Sequence, residues 1–202
     1  LVGSEMCIRD RVYNNTKVDA QMLKDADVDA VILAIGSSPI TIKLEGMDKL
    51  QHASAPEVLR HEVCPKGKVA VIGGGLVGLE TADTLATDGC DVTVLEMKDE
   101  IGSDLGSLRK IAVMMKLQQM QVKMLPNSKV CKFTEEGIVL EDETLVPCNC
   151  AVFAVGFASN DSHLLVEECE KRQIPCRVIG DAKSARRALD AIAEGFEAAR
   201  TL

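Results

Sequence analysis

The sequence predicts an α/β fold in which parallel strands are covered by helices. Three observations predict it. Apolar runs of strand length alternate with segments of helical period, the order expected of βαβ units. Those runs are continuous rather than alternating, as in strands buried on both faces. A glycine cluster, Gly73-Gly74-Gly75, stands between one such run and the helical segment after it.

Composition bounds the possibilities. The chain has 202 residues, enough for one large domain or two small ones. Apolar residues make up 47% and aromatics only 2%, so the core must be aliphatic. The formal net charge is −8, which gives no bulk attraction for phosphodiester backbones, and nucleic acid is not an expected partner. A dinucleotide is compatible with that charge, because a helix N-terminus and a glycine turn bind phosphate without net positive charge. No apolar run approaches the ~20 residues of a membrane span, so no membrane partner is expected. The eight cysteines (Cys7, Cys64, Cys90, Cys131, Cys148, Cys150, Cys169 and Cys176) include no CxxC, and their spacing fits neither zinc nor a ferredoxin-type cluster. No metal site is expected in this chain. The close pair Cys148-x-Cys150 reads as structural, with a metal or redox role as the alternative. A reducing cytoplasm is the simplest location.

The elements follow in order. Residues 1–11 (LVGSEMCIRDR) carry neither period nor motif. They read as a non-native leader, resembling translated adapter sequence, or as a disordered natural tail, and are set apart from the fold. Residues 12–18 suggest a short strand. Residues 28–36 (VDAVILAIG) form an apolar run closed by turn residues, the pattern of a buried strand. Ser54-Ala55-Pro56-Glu57 supplies an N-cap, an early proline and an early acid, and starts a short helix. Cys64 to Lys68 is a break and an expected domain boundary. A strand at 68–72 (KVAVI) precedes a helix at 76–88 with Leu79, Ala82, Leu85 and Ala86 on one face, and Gly89 stands at its C-terminal cap. A strand at 91–96 (DVTVLE) and a helix from Ser103 to about Met120 come next, then a strand at 122–125. The Met114, Met115 and Met120 stripe reads as core packing. Residues 129–147 suggest an antiparallel meander. Strands at 150–156 (CAVFAVG) and 177–179 and a helix at 184–202 complete the pattern.

Gly73-Gly74-Gly75-Leu76-Val77-Gly78 fits GxGxxG, and its context makes the match specific. It follows an apolar strand and opens an amphipathic helix, and an acid, Glu96, ends the next strand. In this reading Gly73 makes the tight turn, Gly75 lets a pyrophosphate approach the backbone, and Gly78 lets helix and strand pack closely. The helix N-terminus, starting at Leu76 and Val77, holds phosphate. Glu96 can accept from a ribose 2′-OH and would repel a 2′-phosphate, which favours NAD(H), although Lys98 lies nearby.

The segment VAVIGGGLVGLETADTLATDGCDVTVLEM closely resembles the NADH domain of two-dinucleotide-binding flavoproteins, the pyridine nucleotide-disulfide oxidoreductase superfamily. Two further marks match. VILAIG, ending at Gly36, and VFAVG, ending at Gly156, resemble the paired strands that link the two domains in that superfamily. Gly180-Asp181-Ala182 resembles its C-terminal Gly-Asp-Ala, where the Asp holds an FAD ribityl hydroxyl. The tail VIGDAKSARRALDAIAEGFEAARTL is most similar to NADH:flavin oxidoreductases related to 2-enoate reductase and 2,4-dienoyl-CoA reductase.

The resemblance covers 12–202. It implies a Rossmann-like NADH domain at 65–155 inserted into a partial FAD domain at 12–64 and 156–202. It also implies NAD(H) and FAD as cofactors, and an upstream old-yellow-enzyme barrel with FMN and a 4Fe-4S cluster as the missing partner. Departures are the lack of an upstream GxGxxG for FAD, Ile35 where Thr is usual, and Val155 at the second Ala-x-Gly.

The implied function is transfer of hydride from NADH to FAD, and in full-length relatives onward to FMN and an enoate or enoyl C=C. No side chain is expected to act as acid or base, since the chemistry is the cofactors'. The alternatives are another FAD-dependent NADH oxidase, a ferredoxin-reductase-like protein, or a non-catalytic NADH-binding fragment. Glu80 resembles a family Glu near the nicotinamide, and equally reads as an ordinary helical Glu. His52, His61 and His163 read as surface or loop residues. Arg186 and Arg187 read as a solvated face, with a phosphate contact as the alternative.

Overall fold

The computed structural model describes residues 11–202, so only Arg11 of the expected leader falls within it. The chain runs α1 (Ala20–Asp25), β1 (Val31–Leu33), β2 (Ser37–Pro39), β3 (Gln51–Ser54), α2 (Ala55–Leu59), β4 (Lys68–Ile72), α3 (Leu76–Thr87), β5 (Asp91–Leu95), α4 (Ser107–Gln119) and β6 (Lys123–Leu125). It continues with β7 (Val130–Thr134), β8 (Gly137–Leu140), β9 (Leu145–Pro147), β10 (Cys150–Phe153), β11 (Phe157–Ser159), α5 (His163–Lys171), β12 (Cys176–Val178) and α6 (Ala188–Thr201). It divides into two compact units. One is Ser38–Ala158; the other joins the described part of Leu1–Ser37 to Ser159–Leu202. The divisions fall inside β2 and β11, which pair with each other.

The Ser38–Ala158 unit is built on a five-stranded parallel sheet in the order β3-β10-β4-β5-β6. Its strands alternate between two cores, as a pleat of period 2 dictates. Val69 and Val71 of β4, Val92 and Val94 of β5, and Cys150 and Val152 of β10 pack with Leu79, Ala82 and Leu85 of α3 and Leu117 of α4. Ala70 and Ile72, Leu95, and Ala151 and Phe153 face the other way, onto Phe133, Ile138, Leu140 and Val146 of the antiparallel sheet β7-β8-β9. Both faces of the sheet are therefore covered at its centre, which is why β10, β4 and β5 read as largely apolar runs while the edge strands β3 and β6 do not. Each fully buried leucine of α3 contributes roughly 1.5–3 kcal/mol to that packing.

Cys148 and Cys150 fall in different clusters, and burial pushes both thiols up to about 11, so they stay protonated at neutral pH. Helix α2 starts as the sequence predicts: the Glu57 carboxylate accepts from the Ser54 N–H at 2.7 Å and from its Oγ at 2.6 Å.

In the other unit β1 pairs in parallel with β12, and α1 packs against α5. Arg172, the residue that closes α5, donates to the backbone carbonyls of Leu23 and Ala26, satisfying the C-terminal end of α1. Four expectations are corrected. No strand forms at 12–18: Asn15 takes a positive φ of 53°, and Val12, Tyr13 and Val18 are exposed. The first element among the described residues is instead α1, capped by Asp19, whose carboxylate accepts from the Met22 N–H at 2.8 Å. Helix α4 starts at Ser107 rather than Ser103, because a turn closed by Leu105 N–H on Gly102 C=O occupies the start. Helix α6 starts at Ala188 rather than Ser184, behind a 3-10 turn at Gly180–Ala182. In the methionine stripe Met114 and Met120 pack on the core, but Met115 is exposed. Helix α5 was not anticipated; only its Cys169 is fully buried, so its apolar stripe is short.

Candidate dinucleotide site

The Ser38–Ala158 unit carries a cavity of about 520 Å³ at the carboxyl ends of β4, β5 and β10. This is where open parallel sheets bind ligands. Gly73, Gly75, Leu76 and Val77 line one side, Glu96, Met97 and Lys98 a second, and Ala154, Val155 and Gly156 a third. A larger hollow of about 680 Å³ lies by Met47–His52 and Val63–Pro65. It has neither a glycine turn nor the start of a long helix, so the smaller cavity is the better-formed site.

The glycine turn is shaped by close approach. Gly73 has φ 109°, its N–H donates to Leu95 C=O at 2.8 Å, and a Cβ there would lie 2.4 Å from Ala154 O. A Cβ on Gly78 would lie 1.9 Å from Gly73 O, so α3 can reach the turn only with no side chain at that position. Gly75 is different. Its Cβ would meet only the Asp104 carboxylate, at 3.2 Å, on the cavity side. Gly73 and Gly78 thus form the turn, and Gly75 keeps it open to a ligand.

Glu96 follows the last residue of β5 and is 9% exposed. One carboxylate oxygen accepts from Gly74 N–H at 2.7 Å and the other from Lys98 N–H at 2.9 Å. Those two bonds hold the side chain at the rim of the cavity and leave lone pairs for a further donor. Its backbone is fixed as well, by Ser128 N–H on Glu96 C=O at 2.7 Å. Ser128 and Lys129 complete that end. Asp104 is a residue that sequence reasoning missed; both its oxygens accept from Leu76 N–H, at 3.1 and 3.0 Å. Glu80 does not line the cavity. It pairs with Arg109 of α4 at 2.8 Å on an exposed surface.

Gly36, Gly180, Asp181 and Ala182 belong to the other unit. The Asp181 carboxylate accepts from Ser37 Oγ at 3.1 Å and Arg186 N–H at 3.3 Å, and its carbonyl accepts from Ser159 Oγ at 2.7 Å. Asn160 N–H donates to Gly36 C=O at 3.1 Å. Glu194 of α6, also missed from sequence, accepts from Gly180 N–H at 2.8 Å, Lys183 Nζ at 3.1 Å and Arg186 at 2.6 Å. The Arg186 hydrogen bond, then the Gly180 N–H and Lys183, bring its carboxyl down to about 2. Arg186 therefore supports the turn before α6 instead of facing solvent alone. His52 is exposed at the edge of β3, and His61 sits in the turn after α2.

The sequence profile of the pyridine nucleotide-disulphide oxidoreductase family matches residues 7–182. The chain belongs to that family. Within it, the chain is 36% identical over 191 residues to bilirubin reductase of Mediterraneibacter gnavus, covering 91% of this chain and 29% of that protein. It is 34% identical over 196 residues to cinnamate reductase of Clostridium sporogenes, covering 93% of this chain and 29% of that protein. Among solved structures, 2-naphthoyl-CoA reductase superposes with a TM-score of 0.83 at 24% identity, over 93% of this chain and 29% of that one, a likeness of fold. The chain thus spans about three tenths of the length of these relatives. The family is one of NAD(P)H-dependent flavoprotein oxidoreductases. Among the described residues no helix is long and apolar enough to cross a membrane.

Proposed function

We propose that this chain is the NADH-binding module, with part of the FAD-binding module, of an NADH-dependent flavin oxidoreductase. The observation that carries the reading is the Ser38–Ala158 cavity, where a glycine turn, a helix N-terminus and a rim carboxylate converge. Gly73, Gly75, Leu76, Val77 and Gly78 would hold the NADH pyrophosphate, and Glu96 its adenosine ribose. Gly156 lines the same cavity. Gly36, Gly180, Asp181 and Ala182 would hold FAD. The Asp181 carboxylate fits that role, since Ser37 and Arg186 use two of its roughly four acceptor positions and a hydroxyl can take another. The bound dinucleotides would supply the redox chemistry, passing a hydride from reduced nicotinamide to flavin. The chain's own task is alignment and electrostatics. Domain limits of 12–64, 65–155 and 156–202 belong to this proposal, as does Glu80 as a group near the nicotinamide.

For the whole protein we propose an upstream barrel with FMN and a 4Fe-4S cluster, a cytoplasmic location, and reduction of an enoate- or enoyl-type C=C. The reductase names of the relatives and their greater length support this.

The test is equilibrium titration of the chain with NADH and NADPH. NADH should bind more tightly, and Glu96→Arg should reverse the order. A charge-assisted hydrogen bond lost on one side and gained on the other is worth roughly tenfold or more in each affinity. Tighter NADPH binding by the unaltered chain would overturn the assignment.

A further inference from the structure

Helix α3 begins on Gly75, a residue with no side chain to cap it. The cap comes from elsewhere. Asp104 lies on the link between β5 and α4, and both its oxygens sit on the first N–H of the helix, that of Leu76, at 3.1 and 3.0 Å. The link is strapped over the turn by Gly102 N–H on Gly74 C=O at 2.7 Å. Ile101, three residues before Asp104, is buried in the helix-side core, and Glu100 pairs with Lys110 at 2.6 Å. The carboxylate itself faces the cavity, next to Gly75.

A carboxylate on the first N–H of a helix satisfies an otherwise orphan donor and lies at the positive end of the dipole. A phosphate at the same place needs the same N–H and the same field. Two anions cannot share them. At the separation of adjacent oxygens their repulsion is large in any medium less polar than water.

We infer that Asp104 is a built-in competitor for the dinucleotide phosphate: it holds the Leu76 N–H that the phosphate needs and must give it up before the nucleotide seats. The inference rests on the nucleotide-binding reading of the cavity. It makes Asp104 an affinity-setting residue without a role in the chemistry. The helix gains a cap from Asp104, and the nucleotide binds more weakly by the free energy of displacing it.

The experiment compares the chain with Asp104→Asn, which removes the charge and keeps a weaker acceptor, and with Asp104→Ser, which keeps a short hydroxyl cap. NADH and ADP-ribose are titrated into each by calorimetry, and the melting temperature is measured with and without NADH. Both variants should bind both ligands about five- to tenfold more tightly, the scale of a helix-terminus charge effect. Both should melt lower than the unaltered chain when free, and gain more from NADH. If the unaltered chain binds NADH while the variants bind equally or more weakly, the competitor role is overturned and the site reading stands. If neither the chain nor the variants bind NADH or ADP-ribose, the site reading itself fails, and the proposal with it.

Discussion

Glu194 shows how one side chain can organise a turn. It gathers the Gly180 N–H, the Lys183 ammonium and the Arg186 guanidinium, all within 3.1 Å. Its pKa falls from the usual 4.5 to about 2, with the Arg186 hydrogen bond as the largest cause. The stabilisation that a depressed carboxyl confers is complete above the unfolded pKa and is lost as pH falls through the folded one. Glu194→Gln should therefore lower the melting temperature at pH 7. The gap between variant and parent should narrow between pH 4.5 and about 2. Melting curves across that range test it, and a gap that stays constant down to pH 2 would refute the ionic role. The partners are partly exposed, so salt will weaken the effect as well.

At the scale of elements, the strand–turn–helix unit at 68–87 divides its glycines by task. Gly78→Ala sets a Cβ 1.9 Å from a backbone oxygen, so α3 must move; a loss of about 3 kcal/mol is expected. Gly75→Ala meets only the Asp104 carboxylate, a side chain rather than backbone, so it should cost about 1 kcal/mol or less in stability while weakening NADH binding at least tenfold. Denaturant unfolding and nucleotide titration of the two variants separate these outcomes, and equal stability losses would contradict the division. This unit was legible in the sequence because strand, turn and helix are contiguous and each is marked by local chemistry. Asp104 was not. It lies 28 positions from Leu76 in a link with no period, and it reaches the helix through the strap at Gly102 and the buried Ile101 beside it. The Glu80–Arg109 pair, 29 positions apart, likewise depends on how α3 and α4 pack. Helix α5 is harder to read because it is only nine residues long, barely two and a half turns, with a single residue fully buried. The 12–18 segment misled in the opposite sense: its β-branched residues suit a strand, but a strand forms only with a partner, and an asparagine turn interrupts this one.

Considered whole, the molecule is one unit interrupted by another. The Ser38–Ala158 unit has its own two-faced sheet and both cores, and its two ends are joined by Ile40 N–H on Gly156 C=O at 3.0 Å. Excised as 38–158, it should unfold cooperatively on heating and bind NADH within a few-fold of the entire chain. A fragment that melts without a transition would show that the flanking segments are needed for its stability. The paired ends also bear on the order of assembly. In the flanking unit Asn160 Nδ2 donates to Ile35 C=O across 125 positions of sequence, a closure that a disordered chain would reach slowly. Once the intervening segment has folded, its ends stand side by side, and the remaining search is that of a short loop. The outer half of the molecule therefore inherits its folding speed from the inner half. Damage to the inner sheet would delay the outer contacts even where it touches none of them.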